Sequence, residues 1–203
     1  MYSILTVCSG NICRSPMAEQ LLRRRLQDYP GIVMSSAGTF AGPNEAMPEE
    51  AAALSVRFGG EPRGHLSRSL TESMVNEADL ILAMSRNHRR EIAELAPRKV
   101  KSTFTIREFA RLGATLSDEE VVDAARQQIT LRSALIEASA LVASRRGRPD
   151  TLEFVPAEED VIDPYRRSAA TYERSAQELV PAVDEVARIL GLAASTVSKN
   201  TRA

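Results

Sequence analysis

The first half of the chain alternates short apolar runs with stretches whose apolar residues recur at helical spacing. Residues 3–7 (Ser-Ile-Leu-Thr-Val) read as a buried strand. Residues 16–26 follow as a helix with Met17, Leu21, Leu22 and Leu26 on one face, and with Pro16 at its first position. The same reading predicts a second strand at 32–35, a helix over 44–58, a third strand at 80–84, a helix over 86–95 ended by Pro97, and a fourth strand at 100–105. Strand–helix alternation of this kind predicts an α/β fold, a four-stranded parallel sheet flanked by helices on both faces. The second half differs. Ser117 with Glu120 three positions on is a capping-box start. One long helix is expected from there to about residue 146, carried by Val122, Ala125, Ile129, Leu135, Ala138 and Val142, and stopped by Gly147 and Pro149. A loop carrying Glu158, Glu159 and Asp160 follows. A last helix is expected over 168–190, with Tyr172, Leu179, Val183, Val186 and Leu190 on one face. Residues 1–193 then form one domain with a helical insertion over about 115–156, and residues 194–203 form a frayed tail.

Composition changes this picture little but closes off whole classes of function. A 203-residue chain that is 43% hydrophobic can bury a core, and with 4% aromatics and no Trp that core must be aliphatic. Lys and Arg total 26 against 27 Asp and Glu, so the basic excess of a dedicated nucleic-acid binder is missing. No apolar run reaches the roughly 18–20 residues that span a bilayer. No export-signal pattern opens the chain, which places it in the cytoplasm with its two cysteines reduced.

Chemistry concentrates in residues 7–16, Val-Cys-Ser-Gly-Asn-Ile-Cys-Arg-Ser-Pro, between the first strand and the first helix. Ligands bind at the carboxyl edge of an open α/β sheet. A loop with five residues between Cys8 and Arg14 can curl its N–H groups inward as an anion nest, through Ser9, Gly10, Asn11, Ile12, Cys13, Arg14 and Ser15. The helix adds its positive end, and Arg14 offers a fork to two anion oxygens. Gly10 is expected to take a positive φ at the sharp turn. That positive field favours the thiolate of Cys8 and aims it at a bound tetrahedral dianion. Ser15 can donate to the sulfur. A lone Cys after a strand is ordinarily a small hydrophobe, and Cys-x5-Arg alone is weak; its position between strand and helix raises the functional reading.

Residues 8–19 (Cys-Ser-Gly-Asn-Ile-Cys-Arg-Ser-Pro-Met-Ala-Glu) resemble the signature of the low-molecular-weight protein tyrosine phosphatases. Further segments resemble that family in order: Ser36-Ala37-Gly38-Thr39, Gly64-His65-Leu66-Ser67-Arg68, residues 78–84, and Val161-Ile162-Asp163-Pro164-Tyr165. The resemblance implies a metal-independent phosphoric monoester hydrolase acting on phosphotyrosine proteins through a cysteinyl-phosphate. Cys8 would be the nucleophile, Arg14 the anion ligand and Asp163 the general acid. Asn11 would hold the loop shape through His65, and Ser15 would stabilise the thiolate. No metal or cofactor is implied, since Arg14 and the loop amides supply the positive charge. The partners implied are a phosphotyrosine-containing protein and phosphate or a similar oxyanion. From local sequence alone Asp163-Pro164 is an ordinary turn opener; the family order gives it its role. The family also implies that Cys13 can pair with an oxidised Cys8, beside the reading of Cys13 as a plain loop cysteine.

Phe40 and Tyr165 are the candidates for a slot around the phosphotyrosine ring. Arg166 stands where the family often has a second aromatic, and it either favours acidic flanking sequence or is merely solvated. Ile12 occupies the place where phosphoarginine-directed relatives carry Thr, which disfavours a protein arginine phosphatase. An arsenate reductase relaying electrons through its own thiols would need a cysteine after Cys13, and none follows; a version using an external thiol stays open. A non-catalytic phosphoprotein-binding module would need neither nucleophile nor acid.

Overall fold

The computed structural model of the chain describes residues 1–148 and 159–200. In chain order its elements are β1 (Tyr2–Cys8), α1 (Arg14–Arg25), β2 (Ile32–Gly38), α2 (Glu49–Arg57), α3 (Glu72–Glu77), β3 (Leu80–Ala83), α4 (Arg86–Leu95), β4 (Thr103–Thr105), α5 (Ile106–Gly113), α6 (Asp118–Arg126), α7 (Leu131–Ala143) and α8 (Ala169–Asn200). The sheet runs β2-β1-β3-β4, every pairing parallel, as the alternation predicts. Cys8 lies opposite Gly38, and Val7 opposite Ala83. The carboxyl ends of β2, β1 and β3 therefore meet at one edge of the sheet, with β1 in the middle.

Alternation along each strand divides the apolar side chains between two layers. Tyr2, Ile4 and Cys8 of β1 join Leu80 and Leu82 of β3 on one face, under α1, α5, α6, α7 and α8. Leu5 and Val7 join Ile81 and Ala83 on the other, under α3 and α4. The larger cluster is continuous from Tyr2 to Val197 and almost wholly aliphatic, with Phe104 and Phe109 meeting edge to face at 5.2 Å.

Several elements depart from the sequence reading for local reasons. The single helix expected over 117–146 is two. Thr130 takes extended angles and caps α7, its hydroxyl accepting from the Ser133 N–H while the Ser133 hydroxyl accepts from the Thr130 N–H. Ile129, expected on the buried face, sits in the break and is 92% exposed, and Val121 rather than Val122 is the fully buried valine of α6. The fourth strand is shortened because Pro97–Ser102 winds into a 3-10 turn, with the Thr103 hydroxyl donating to the Lys99 carbonyl. Helices α3 and α5 were not expected; α5 starts on its own capping box, Thr105 with Glu108. The helix expected over 44–58 begins only at Glu49, after Pro48. The strand expected at 32–35 runs on to Gly38. The tail expected to fray from 194 instead continues α8 to Asn200, because Ala193, Ala194 and Val197 are buried. Residues 149–156 of the expected insertion, its stop at Pro149, the acidic loop position Glu158 and tail residues 201–203 lie outside the described residues. Among the described residues no helix is long and apolar enough to cross a membrane.

Candidate active site

The site begins where β1 ends. The carbonyls of Cys8 and Ser9 accept from the N–H groups of Thr39 and Phe40, both at 2.9 Å, and the Asn11 carbonyl meets His65 Nε2 at 2.7 Å. No peptide in the described residues is cis. In a trans peptide the carbonyl and the following N–H point opposite ways. The N–H groups of Ser9, Gly10 and Ile12 are therefore turned away from these outer partners. All three residues line a cavity of about 350 Å³, together with Cys8, Arg14, Phe40, Asp163 and Tyr165. Helix α1 opens on the same space. It starts at Arg14, two residues before Pro16, and the proline is tolerated there because first-turn N–H groups have no partner inside the helix.

The sharp turn is made by Asn11, not by Gly10. Asn11 has φ 54° and Gly10 is not left-handed. Asparagine tolerates that region, and here its side chain holds it there. Its Nδ2 donates to Ser15 Oγ (3.1 Å) and Ser36 Oγ (2.8 Å), and its Oδ1 accepts from the Arg68 N–H (3.0 Å). Ser15 Oγ in turn lies 3.0 Å from Cys8 Sγ and 3.4 Å from the Ala37 carbonyl. Ser15 Oγ thus accepts from Asn11 and keeps a proton that can be given to the sulfur or to the Ala37 carbonyl.

Arg14 is 6% exposed. One terminal nitrogen donates to the Val161 carbonyl (3.0 Å), and the other pairs with Asp163 Oδ2 at 2.8 Å. The acid comes from a segment tied down on three sides. The Val161 N–H donates to the Met84 carbonyl at the end of β3, and the Ile162 N–H to Glu178 Oε2 of α8. Asp160 is forked by Arg86 at the start of α4, which holds its carboxylate below the usual range against the opposing effect of burial. Asp163 itself accepts from the Tyr165 N–H (3.2 Å) and stays half exposed at the mouth.

Cys13 is buried, and burial, with Cys8 adding to it, pushes its thiol up to about 12. Tyr172 of α8 hydrogen-bonds to it. Ile12 lines the slot, with Phe40 (90% exposed) and Tyr165 (41% exposed) at its rim. Arg166 has φ 57° and carries its guanidinium over the Tyr165 ring at 5.0 Å. Every predicted site residue is thus gathered at one sheet edge.

Sequence reading missed three contributors. Gly38 is required by close approach: a Cβ there would lie 2.3 Å from the Ser9 carbonyl oxygen and 2.9 Å from the Asn11 nitrogen. Ser36 and His88 bond directly to loop residues. Gly38 and Ser36 lay in a segment quoted for its resemblance, whereas nothing near His88 in sequence marks it.

Residues 3–135 match the family model described as low molecular weight phosphotyrosine protein phosphatase. That span ends before Asp163, whose place beside Arg14 is given by the 2.8 Å contact between them. The Escherichia coli (strain K12) protein named low molecular weight protein-tyrosine-phosphatase Etp is 43% identical over 95 residues, covering 47% of this chain and 62% of that protein. The chain's match therefore spans less than two thirds of that relative's length. Among solved structures, the low molecular weight protein tyrosine phosphatase from T. tengcongensis superposes with a TM-score of 0.63 at 27% identity, covering 91% of this chain and 97% of that one. The YwlE arginine phosphatase from Geobacillus stearothermophilus gives 0.63 at 26%, covering 92% and 91%. With more than half of its length inside the family model, this chain belongs to the low molecular weight phosphotyrosine protein phosphatase family.

Proposed function

We propose that the protein is a metal-independent phosphatase that hydrolyses phosphotyrosine, an aryl phosphomonoester, in protein substrates. The observation that carries this reading is the 2.8 Å pair between Arg14 and Asp163, which joins the loop holding Cys8 to an acid 149 positions later. Cys8 Sγ attacks the phosphorus, the bond to the aryl oxygen breaks, and Asp163 gives that oxygen its proton. Ser15 donates to the sulfur while it is ionised. Arg14 and the inward N–H groups of Ser9, Gly10 and Ile12 hold the equatorial oxygens. In the second half, Asp163 takes a proton from the water that displaces Cys8, and phosphate leaves. Asn11 and His65 keep the loop in shape throughout. The chemistry needs a free thiol, and both cysteines are free, which supports a reducing compartment such as the cytoplasm. We further take the chain as one domain, a reading supported by the larger core cluster, which reaches from β1 to α8.

Ile12 favours the aryl substrate over phosphoarginine, because an apolar branched side chain at the slot offers nothing to a guanidinium but packs on a ring. Steady-state hydrolysis of an aryl phosphate in the presence of chelator tests the mechanism. Cys8→Ser should abolish turnover. Asp163→Asn should slow it by about 10²–10⁴-fold for a poor leaving group, and much less for an activated one that needs little protonation. Retained turnover in Cys8→Ser, or arrest by chelator, would overturn the reading. A phosphoarginine peptide hydrolysed faster than its phosphotyrosine counterpart would move the substrate class.

A further inference from the structure

We propose that His88 is a positioning residue that clamps the anion loop from α4, on the opposite face of the sheet. The proposal rests on the phosphatase reading of that loop. The side chain is 4% exposed and both ring nitrogens are engaged: Nε2 lies 2.8 Å from Ser9 Oγ, and Nδ1 lies 2.8 Å from Ser85 Oγ. Ser85 also caps α4, accepting from the His88 backbone N–H. That cap uses a backbone group any residue supplies, so the two ring bonds exceed what the helix needs.

Burial and the nearby Arg14 keep the ring uncharged, lowering its pKa to about 4 against the opposite pull of Glu91, Asp163 and Asp160. A neutral imidazole has one donor and one acceptor nitrogen, so one serine hydroxyl donates and the other accepts, and both bonds are satisfied at once. Ser9 directly follows the nucleophile. Its carbonyl is held by the Phe40 N–H on the β2 side, and its hydroxyl by His88 on the α4 side. Held from both sides, Ser9 sets the direction of the Gly10 N–H, which the phosphatase reading makes a donor to bound phosphate. Without the imidazole, only the β2 side restrains it.

The test is a double-mutant cycle read by calorimetric titration with inorganic phosphate and by kcat/KM for an aryl phosphate, both at neutral pH. His88→Leu and Ser9→Ala should each weaken phosphate binding and kcat/KM by roughly tenfold, the size expected for one buried hydrogen bond. The double variant should be no worse than the worse single one, because both remove the same contact. His88→Gln, which keeps a donor and an acceptor, should recover part of the loss. Additive losses, or a folded His88→Leu protein that binds phosphate like the wild type, would overturn the clamp. If His88→Leu does not fold, Ser9→Ala, His88→Gln and their double variant complete the same cycle. A wild-type protein that binds no phosphate overturns the reading of the loop itself; wild-type binding with His88 variants unchanged overturns the clamp alone.

Discussion

Asn11 and Gly38 solve one steric problem between them. The loop must bring its amides close together, which forces one residue left-handed and another backbone strand hard against it. Asn11 accepts the left-handed angles and locks them with three side-chain hydrogen bonds, while Gly38 leaves the room. Gly38→Ala should therefore cost about 1–3 kcal/mol and weaken phosphate binding, since the clash is with the loop's own backbone. Thermal unfolding with phosphate titration checks both; a stable variant with intact affinity would contradict the close approach. Cys13 invites a different measurement. Burial, with the neighbouring Cys8 adding to it, raises its pKa to about 12 and disfavours its thiolate while Cys8 is ionised. We expect it to act only after oxidation of Cys8 to the sulfenic acid, when attack by the Cys13 sulfur expels water and leaves a reducible disulfide. After brief peroxide treatment, dithiothreitol should restore activity to the wild type and much less of it to Cys13→Ser; equal recovery would remove Cys13 from this role. His88 carries a pH signature. Its ring is neutral in the fold down to about pH 4, whereas in the unfolded chain it takes a proton below its ordinary 6.5. Stability contributed by the neutral ring is thus complete above 6.5 and drains away as pH falls toward 4, by on the order of 3 kcal/mol. Unfolding midpoints across that window should fall less steeply for His88→Gln than for the wild type.

Elements were legible where one face of a periodic segment is buried, and illegible where capping decides. The apolar stripe of α8 from Tyr172 to Leu190 is buried as its spacing predicts, because it packs against α1, α5, α6 and α7 at once. The break between α6 and α7 was missed because Ile129 fits the helical period, and periodicity cannot see that Thr130 prefers to cap the next helix. Thr105 with Glu108 is the signal that would have found α5. Helix α7 of this region is a structural partner of the sheet. Tyr2 of β1 reaches Ser139 of α7 with a 2.7 Å hydroxyl contact, and Leu135 is fully buried. Leu135→Ala should cost about 2–5 kcal/mol and lower the thermal midpoint, with kcat/KM unchanged at temperatures where the variant remains folded. A change in kcat/KM there would mean that α7 reaches the site.

Across the full chain, the site is assembled from pieces far apart in sequence: the loop at 8–15, Ser36 and Gly38, His65 and Arg68, His88, and Asp163. The anion loop could be read in the sequence because strand, loop and helix are contiguous, and because sharp turns, anion forks and nucleophilic sulfurs each demand particular residue types at close spacing. The parallel sheet was readable for the same reason, since period-2 and period-3.6 burial leave local traces. What needed tertiary structure was everything carried by contact rather than by spacing. Asp163 reads locally as a turn, and only the folded arrangement of β3, α4 and α8 brings its carboxylate to Arg14. His88 leaves no local mark of its purpose, and Gly38 none beyond the resemblance of its segment, because a buried hydrogen bond and a forbidden Cβ exist only once two distant segments touch.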